Sequence, residues 1–328
     1  MRIHTLNRFL FALALAAALV AGGTFASPAQ SEDWKQYEAT EEELRTKYGT
    51  AENRISLDEA RSLMLSLVNS DRAKYQGLPS LEPDPLAAQV AQRHAEEMAE
   101  NRYLGHYNLR GMKAPQRYNE ANGTDMVIEN VSYWEAEYDA YITPQVVADI
   151  EARWLKSPGH FAAIMTPEAT HLGFGIAISK YGEITVITAV QLFVVDLSDF
   201  APLPGRIRRG DTVNIVGRLH KGLKFFYAAV GSEPLPVQRT ADYLNQHLAP
   251  YDTPEPFAGY LDQLSEGRRK LNGLKTYFTF VEGENGSVSG QVTLDDGSGK
   301  PKLYYIYLFA KREDGQVILV MQQTCEAV

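Results

Sequence analysis

Hydrophobic positions in the first half of the chain follow the spacing of amphipathic helices. A Ser-x-x-Glu capping box begins at Ser56, and the apolar residues after it recur every three or four positions, which predicts a helix to about Tyr75. A second helix is predicted to begin at Asp84-Pro85, where an N-cap residue precedes a proline in the first turn. A third is predicted between Thr143-Pro144 and the break at Pro158-Gly159. Each helix is expected to bury one face.

Runs typical of β-strands are interleaved with these helices. Residues 127–134 alternate weakly between apolar and polar, whereas 173–179 and 184–195 are stronger and richer in β-branched side chains. Helices that come first, with strands between and after them, favour a layered α/β domain. We therefore predict a three-layer α-β-α sandwich over residues 54–198.

The pattern changes beyond residue 198. Pro202, Pro204 and Gly205 indicate a linker over 199–210. After it, short β-like runs are separated by turn signals such as Asp296-Gly297, and we expect strands at 212–219, 224–230, 275–281, 288–294, 303–309 and 317–321. These features predict a smaller all-β sandwich or barrel over 211–328, with a helical insertion around 240–271.

The N-terminus has the features of a secretory signal peptide. Arg2 and Arg8 supply positive charge, Phe9–Val20 is an unbroken apolar run, and small residues follow. A membrane-spanning helix needs about 20 apolar residues, and this run is shorter. We expect a signal peptide over 1–26, a peripheral acidic helical segment over 27–53, and no transmembrane segment in the mature chain.

Charge and cysteine content narrow the classes of partner and the compartment. The net charge of −9 argues against a nucleic-acid partner, which needs a basic surface, and against docking on an anionic membrane. The sole cysteine, Cys325, excludes a disulfide within the chain, so packing must supply the stability. A signal peptide on a chain without disulfides indicates a bacterial protein that is secreted or periplasmic.

Three polar motifs fall in the central domain in a fixed order. They are Tyr103-Leu104-Gly105-His106, Ile128-Glu129-Asn130-Val131, and Ser157-Pro158-Gly159-His160, the last followed by Gly173-Phe174-Gly175. Over about residues 58–195 this combination resembles the CAP superfamily (cysteine-rich secretory proteins, antigen 5 and pathogenesis-related proteins), in particular its disulfide-free bacterial branch, also described as SCP domains.

The resemblance implies a cleft lined by two histidines and two glutamates. Carried over to this chain, it places His106, Glu129 and His160 in that cleft. The family's other glutamate would stand near Ser157, which is not acidic, and Ile128 replaces the usual glycine before Glu129. Glu151 lies on the same helix as Ser157, but no motif assigns it that role.

The chemistry of these three residues leaves two interpretations open. A histidine near a helix N-terminus tends to stay neutral, and two imidazoles with a carboxylate suit a divalent ion such as Zn²⁺. His106 and His160 are then the metal ligands. The alternative is a hydrogen-bonded network that only holds the loops of the cleft in place. Elsewhere, we expect His94 to be a core histidine and Asp295–Gly299 to be a hairpin turn.

Three functions are consistent with the sequence. The first is a secreted binding module whose cleft takes a lipid, a cell-envelope polymer or a protein, and the resemblance favours it because the CAP fold implies no general catalytic activity. The second is a metal-dependent hydrolase with Glu129 as general base. The third is a structural interaction protein that docks through its β-domain.

Overall fold

The computed structural model describes residues 51–248, 255–258 and 278–328. The predicted signal peptide and most of the acidic segment over 27–53 lie outside these residues. Only the end of that segment is described, as a 3-10 turn over Ala51–Asn53. Parts of the predicted helical insertion, 249–254 and 259–271, also lie outside the described residues, as do the first three residues of the strand expected at 275–281.

The helices predicted from caps and periodicity are confirmed. Ser56, Asp84 and Thr143 each accept a hydrogen bond from the backbone of the first turn of a helix, and Ser56 with Glu59 completes a capping box. These caps satisfy amide groups that have no partner within the helix. The helices of the central domain are α1 (Leu57–Gln76), α2 (Pro85–Asn101), α3 (Ala114–Glu120), α4 (Pro144–Lys156) and α5 (Pro158–Ile164).

A mixed sheet separates these helices into two layers. Its strands pair in the order β1-β3-β4-β2, where β1 is Glu82–Pro83, β2 is Met126–Ala136, β3 is His171–Tyr181 and β4 is Ile184–Val195. Side chains alternate across β4, so that Phe193 packs with α1 and α4 while Val190 and Val194 pack with α2. The predicted three-layer α-β-α sandwich is thereby confirmed.

Helix α2 lies directly on strand β3. A Cβ atom added at Gly173 would overlap the backbone of Ala87, and one added at Gly175 would overlap the backbone of Gln92. The helix can approach this closely only because both positions lack a side chain.

Replacing Gly175 by alanine is expected to destabilise the protein, because the helix backbone must move to admit the methyl group. Overpacking of this kind costs about 1–3 kcal/mol, which urea denaturation can measure. Gly205→Ala is the control, since nothing lies within 4 Å of its added Cβ. Equal stability of the two variants would contradict the close packing of α2 on β3.

The second half of the chain forms an open β-sandwich. One sheet pairs in the order β10-β11-β7-β5 and the other in the order β6-β13-β12-β8-β9. Ile215 and Val292 of the first sheet share a core with Ile306 and Val320 of the second. The strands are β5 (Ser198–Phe200), β6 (Arg206–Ile207), β7 (Thr212–Leu219), β8 (Leu223–Pro234), β9 (Glu255–Ala258), β10 (Phe278–Glu282), β11 (Ser287–Thr293), β12 (Lys302–Arg312) and β13 (Val317–Ala327).

Two segments differ from the sequence prediction. The expected linker over 199–210 contributes β5 and β6, which pair with β7 and β13, because its prolines interrupt only the stretch between these short strands. In the expected helical insertion, α6 covers only Ala241–Gln246, and residues 255–258 pair with β8 as an edge strand. Helical periodicity in so short a stretch did not distinguish the two structures.

Cys325 lies in the sandwich core. Its side chain is fully buried, and burial raises the pKa of the thiol to about 12. A thiol with so high a pKa is unreactive at neutral pH.

Among the described residues, no helix is both long and apolar enough to cross a membrane.

Candidate functional site

The predicted cleft residues come from separate elements of the central domain. His106 lies in the loop between α2 and α3, Glu129 lies on β2, and His160 lies in the first turn of α5. The loop is shaped by Asn108, whose side-chain oxygen accepts a hydrogen bond from the amide of Met112. The turn between Asn108 and Met112 brings His106 close to α3, where Arg117 bonds its carbonyl.

Glu129 is the buried centre of the site. Its side chain is 1% exposed, and its Oε1 lies 3.0 Å from Nδ1 of His106. Its Oε2 accepts a hydrogen bond from the guanidinium of Arg117 on α3. Arg117 also donates to the carbonyls of His106 (2.8 Å) and Met112 (2.9 Å). One arginine therefore neutralises the glutamate and fixes the histidine loop.

These contacts decide the protonation of Glu129 and the direction of its hydrogen bond with His106. Burial raises the pKa of Glu129, but the Arg117 guanidinium and the hydrogen bond from His106 outweigh it and lower this pKa to about 2. Glu129 is thus ionised at neutral pH and can only accept, so Nδ1 of His106 carries the proton that it donates.

His160 is held beside this pair through its backbone. The side-chain amide of Asn130, the residue after Glu129, donates to the His160 carbonyl at 3.2 Å and to Oε1 of Gln191 at 3.0 Å. The imidazole centroid lies 6.4 Å from the nearest Trp154 ring centroid. Burial, with the charge of His106 as a second cause, lowers the pKa of His160, which keeps this ring neutral at pH 7.

The donor set fits a divalent metal only in part. Both oxygens of Glu129 are already engaged, by His106 and by Arg117, so this carboxylate does not fit the role of ligand or of general base. Across 51–248, 255–258 and 278–328, no group of three His, Cys, Asp or Glu side chains is arranged to hold a metal ion. Ligation by His106 and His160 stays a prediction, in which Glu129 would orient His106 from behind.

Glu151 does not take the place of the missing second glutamate. Its Oε2 accepts a hydrogen bond of 2.6 Å from Gln191, and its Oε1 is buried without a hydrogen-bond partner. Burial raises its pKa to about 8, so that it is mostly protonated at neutral pH. Glu151 therefore ends a buried chain that runs from the His160 carbonyl through Asn130 and Gln191.

Each of the other histidines in the described part of the chain has a partner outside the His106–Glu129 pair. His94 is 1% exposed and its Nε2 donates to the Gly105 carbonyl at 2.9 Å, which confirms a core histidine. His171 and His220 face Asp196, and Nδ1 of His247 bonds the carbonyl of Tyr243. In the predicted hairpin turn over 295–299, the aspartate side chains accept from backbone amides two residues ahead.

Sequence reasoning assigned no role to Arg117 or Gln191. The signal for Arg117 is that a carboxylate placed on a buried strand needs a positive partner, and Arg117 lies between His106 and Glu129 in the chain. The signal for Gln191 is a lone amide within the apolar run of β4, where a buried polar group must find a hydrogen bond.

The class of this domain follows from its three-layer α-β-α fold, which places two histidines beside a buried glutamate. Residues 65–194 match the family model described as "CAP: Cysteine-rich secretory protein family". This part of the chain is therefore a CAP domain, as the order of the three motifs indicated.

Similar proteins come from several bacteria. The chain is 34% identical over 119 residues to the "Uncharacterized membrane protein YlbC" of Bacillus subtilis, a match that covers 36% of this chain and about a third (32%) of that relative. An extracellular SCP-domain protein of Bacillus anthracis is 24% identical with a TM-score of 0.33, covering 42% of this chain and 40% of the other. An outer surface protein of Borrelia burgdorferi is 24% identical with a TM-score of 0.34, covering 43% of this chain and 96% of the other.

Proposed function

We propose that this protein is an exported binding module whose CAP cleft takes a ligand at His106 and His160. One observation carries the proposal: Glu129 is ionised, buried and bonded by both Arg117 and His106. The arrangement pre-orients an imidazole and leaves no carboxylate in a state to take a proton from water. It supports binding more than hydrolysis.

The ligand's chemistry follows from the state of the two rings. The lowered pKa of His160 leaves its ring neutral at pH 7, and the contact between Nδ1 of His106 and Glu129 fixes the orientation of the His106 ring. Neutral imidazoles accept hydrogen bonds from hydroxyl and amide groups and ligate divalent metals. Cell-envelope polymers, which are rich in hydroxyl and amide donors, match this pair better than an alkyl chain does.

The proposal is tested by sedimenting the full mature protein with purified peptidoglycan sacculi. We expect the double variant His106→Ala/His160→Ala to bind at least tenfold more weakly, because both acceptors are removed. His220→Ala is the matched control, since this histidine faces Asp196 and Asp199 instead of the cleft. Undiminished binding by the double variant would assign the interaction to the β-domain and refute the cleft.

The same variants separate the other ligand classes. Binding to phosphatidylglycerol vesicles and not to sacculi would replace the polymer by a lipid. Isothermal titration with Zn²⁺, before and after chelation with EDTA, tests the two-histidine metal site independently of any polymer.

Export is a further part of the proposal, and the mass of the protein secreted by an expressing host would show whether residues 1–26 are removed.

A further inference from the structure

The C-terminal domain sends a segment back onto the loop that carries His106. We call residues 233–248 the strap; it begins at the end of β8 and includes α6. Its contacts fall on six positions of the loop and its ends, two before His106 and four after it.

The strap is anchored first by a buried ion pair. Glu233 accepts a hydrogen bond of 2.6 Å from Lys113, whose side chain is only 4% exposed, and another of 2.8 Å from the hydroxyl of Tyr305. Removing one partner of such a pair leaves an uncompensated buried charge, so the contact is a firm attachment.

The strap then passes in direct backbone contact with the loop. Gly111 has a φ of 77°, and a Cβ atom there would overlap the backbone of Val237. The amide of Arg239 donates to the carbonyl of Leu109 at 2.8 Å. The guanidinium of Arg239 lies 3.7 Å from the centre of the Tyr107 ring, which immediately follows His106. A cation this close to an aromatic face is attracted by it.

Helix α6 holds the other side of the loop. Leu244 is 1% exposed and packs into the core cluster of the CAP domain with Tyr103. Asn245 accepts a hydrogen bond from the amide of Leu104 at 3.0 Å and donates to the carbonyl of Arg102 at 2.9 Å. The side chain of Asn245 thus supplies a hydrogen-bond partner to two backbone groups that would lack one without the strap.

We infer that the strap is a positioning element for His106, so that the geometry of the CAP cleft depends on the C-terminal domain. Residues 102, 104, 107, 109, 111 and 113 are each held by the strap, and His106 lies between two of them. The C-terminal domain thereby controls the loop that bears the candidate ligand-binding ring. Arg239 and Asn245 are positioning residues in this arrangement.

The test measures His106 itself, without a ligand, and so its outcome is independent of the proposed function. In the full mature chain, labelled with ¹⁵N at histidine, the Nδ1 proton of His106 is observed by NMR and assigned with a His106→Gln variant. We expect Arg239→Ala/Asn245→Ala to increase the solvent exchange rate of this proton at least tenfold, because a loosened loop opens the bond to Glu129. Asn245→Asp, which keeps the acceptor for the Leu104 amide, should restore part of the protection to an Asn245→Ala protein.

Two outcomes would overturn the inference. One is an unchanged exchange rate in the double variant while its amide spectrum remains that of the folded protein. The other is equal acceleration by the control Gln291→Ala, which removes an exposed amide that bonds Asn214 within the β-sandwich. Because Asn245 is exposed, its single variant retains the core and provides the measurement if the double variant does not fold.

Discussion

Replacing Arg117 by methionine is expected to lower the free energy of unfolding at pH 7 by about 3–5 kcal/mol, the usual cost of leaving one partner of a buried ion pair. Arg117 is 8% exposed and makes hydrogen bonds to Glu129 and to two loop carbonyls. Without it, Glu129 retains its burial and loses its principal compensating charge. Urea denaturation followed by tryptophan fluorescence measures the effect.

The pH dependence of the same variant should have the opposite sign to that of the parent. In the parent, the pKa of Glu129 is lowered from 4.5 to about 2, so its stabilising contribution is full above pH 4.5 and is lost as the pH falls toward 2. In the variant, burial raises this pKa above 4.5, so the Glu129 contribution is lost as the pH rises. The pKa of His94 is lowered to about 3, so the parent also loses stability in acid as His94 takes up a proton. The quantity to compare is therefore the difference in the free energy of unfolding between the two proteins at each pH.

Arg110→Met provides the matched control. Arg110 pairs with Glu120 at 2.7 Å, but the two side chains are 62% and 48% exposed, and exposed pairs contribute about 0–1 kcal/mol. A loss in Arg117→Met no larger than in this control would show that Glu129 does not depend on Arg117.

The second large effect is expected at Glu151. Glu151→Gln should be more stable than the parent above pH 8, because the buried carboxyl of the parent must ionise there and glutamine need not. The pKa of Glu151 is raised from 4.5 to about 8, so its favourable contribution is full below pH 4.5 and is lost as the pH rises to 8. At 1.36 kcal/mol per pKa unit, the loss is on the order of 5 kcal/mol.

The measurement is a series of thermal or urea unfolding curves between pH 4 and 9. Glutamine keeps an oxygen that can accept from Gln191, so the connection to Asn130 and His160 is preserved. Glu52→Gln, an exposed site, is the control and should leave the pH profile unchanged. Parallel profiles for Glu151→Gln and the parent would mean that Glu151 is already ionised in the folded protein at neutral pH.

The parts of the fold that sequence predicted are those set by local chemistry. Helices α1, α2 and α4 each begin at a side-chain cap, and β4 is an apolar run of 12 residues, so their identity does not depend on distant contacts. Strand β9 was missed because its pairing with β8 is decided by register in the assembled sheet.

The site shows the same division. The order of three motifs led to His106, Glu129 and His160 as predicted cleft residues, and the fold places His106 in contact with Glu129; their part in ligand binding stays a prediction. The state of Glu129 was not predictable, because it depends on the direction of Arg117 from another helix. The role of the strap was also not predictable: Asn245 bonds Leu104 from 141 positions away, and an exposed asparagine on a short helix gives no sign of so distant a partner.

The contribution of Leu244 to the CAP core has a consequence for biosynthesis. A chain leaves the ribosome with its N-terminus first, and the N-terminal domain generally begins to fold before the domains that follow it. The sheet of the CAP domain is complete at Val195, yet Leu244, which belongs to the same core cluster as Tyr103, is made only later. A nascent chain that stalls between Val195 and Leu244 exposes the apolar side chains around Tyr103. Chaperones and proteases recognise surfaces of this kind.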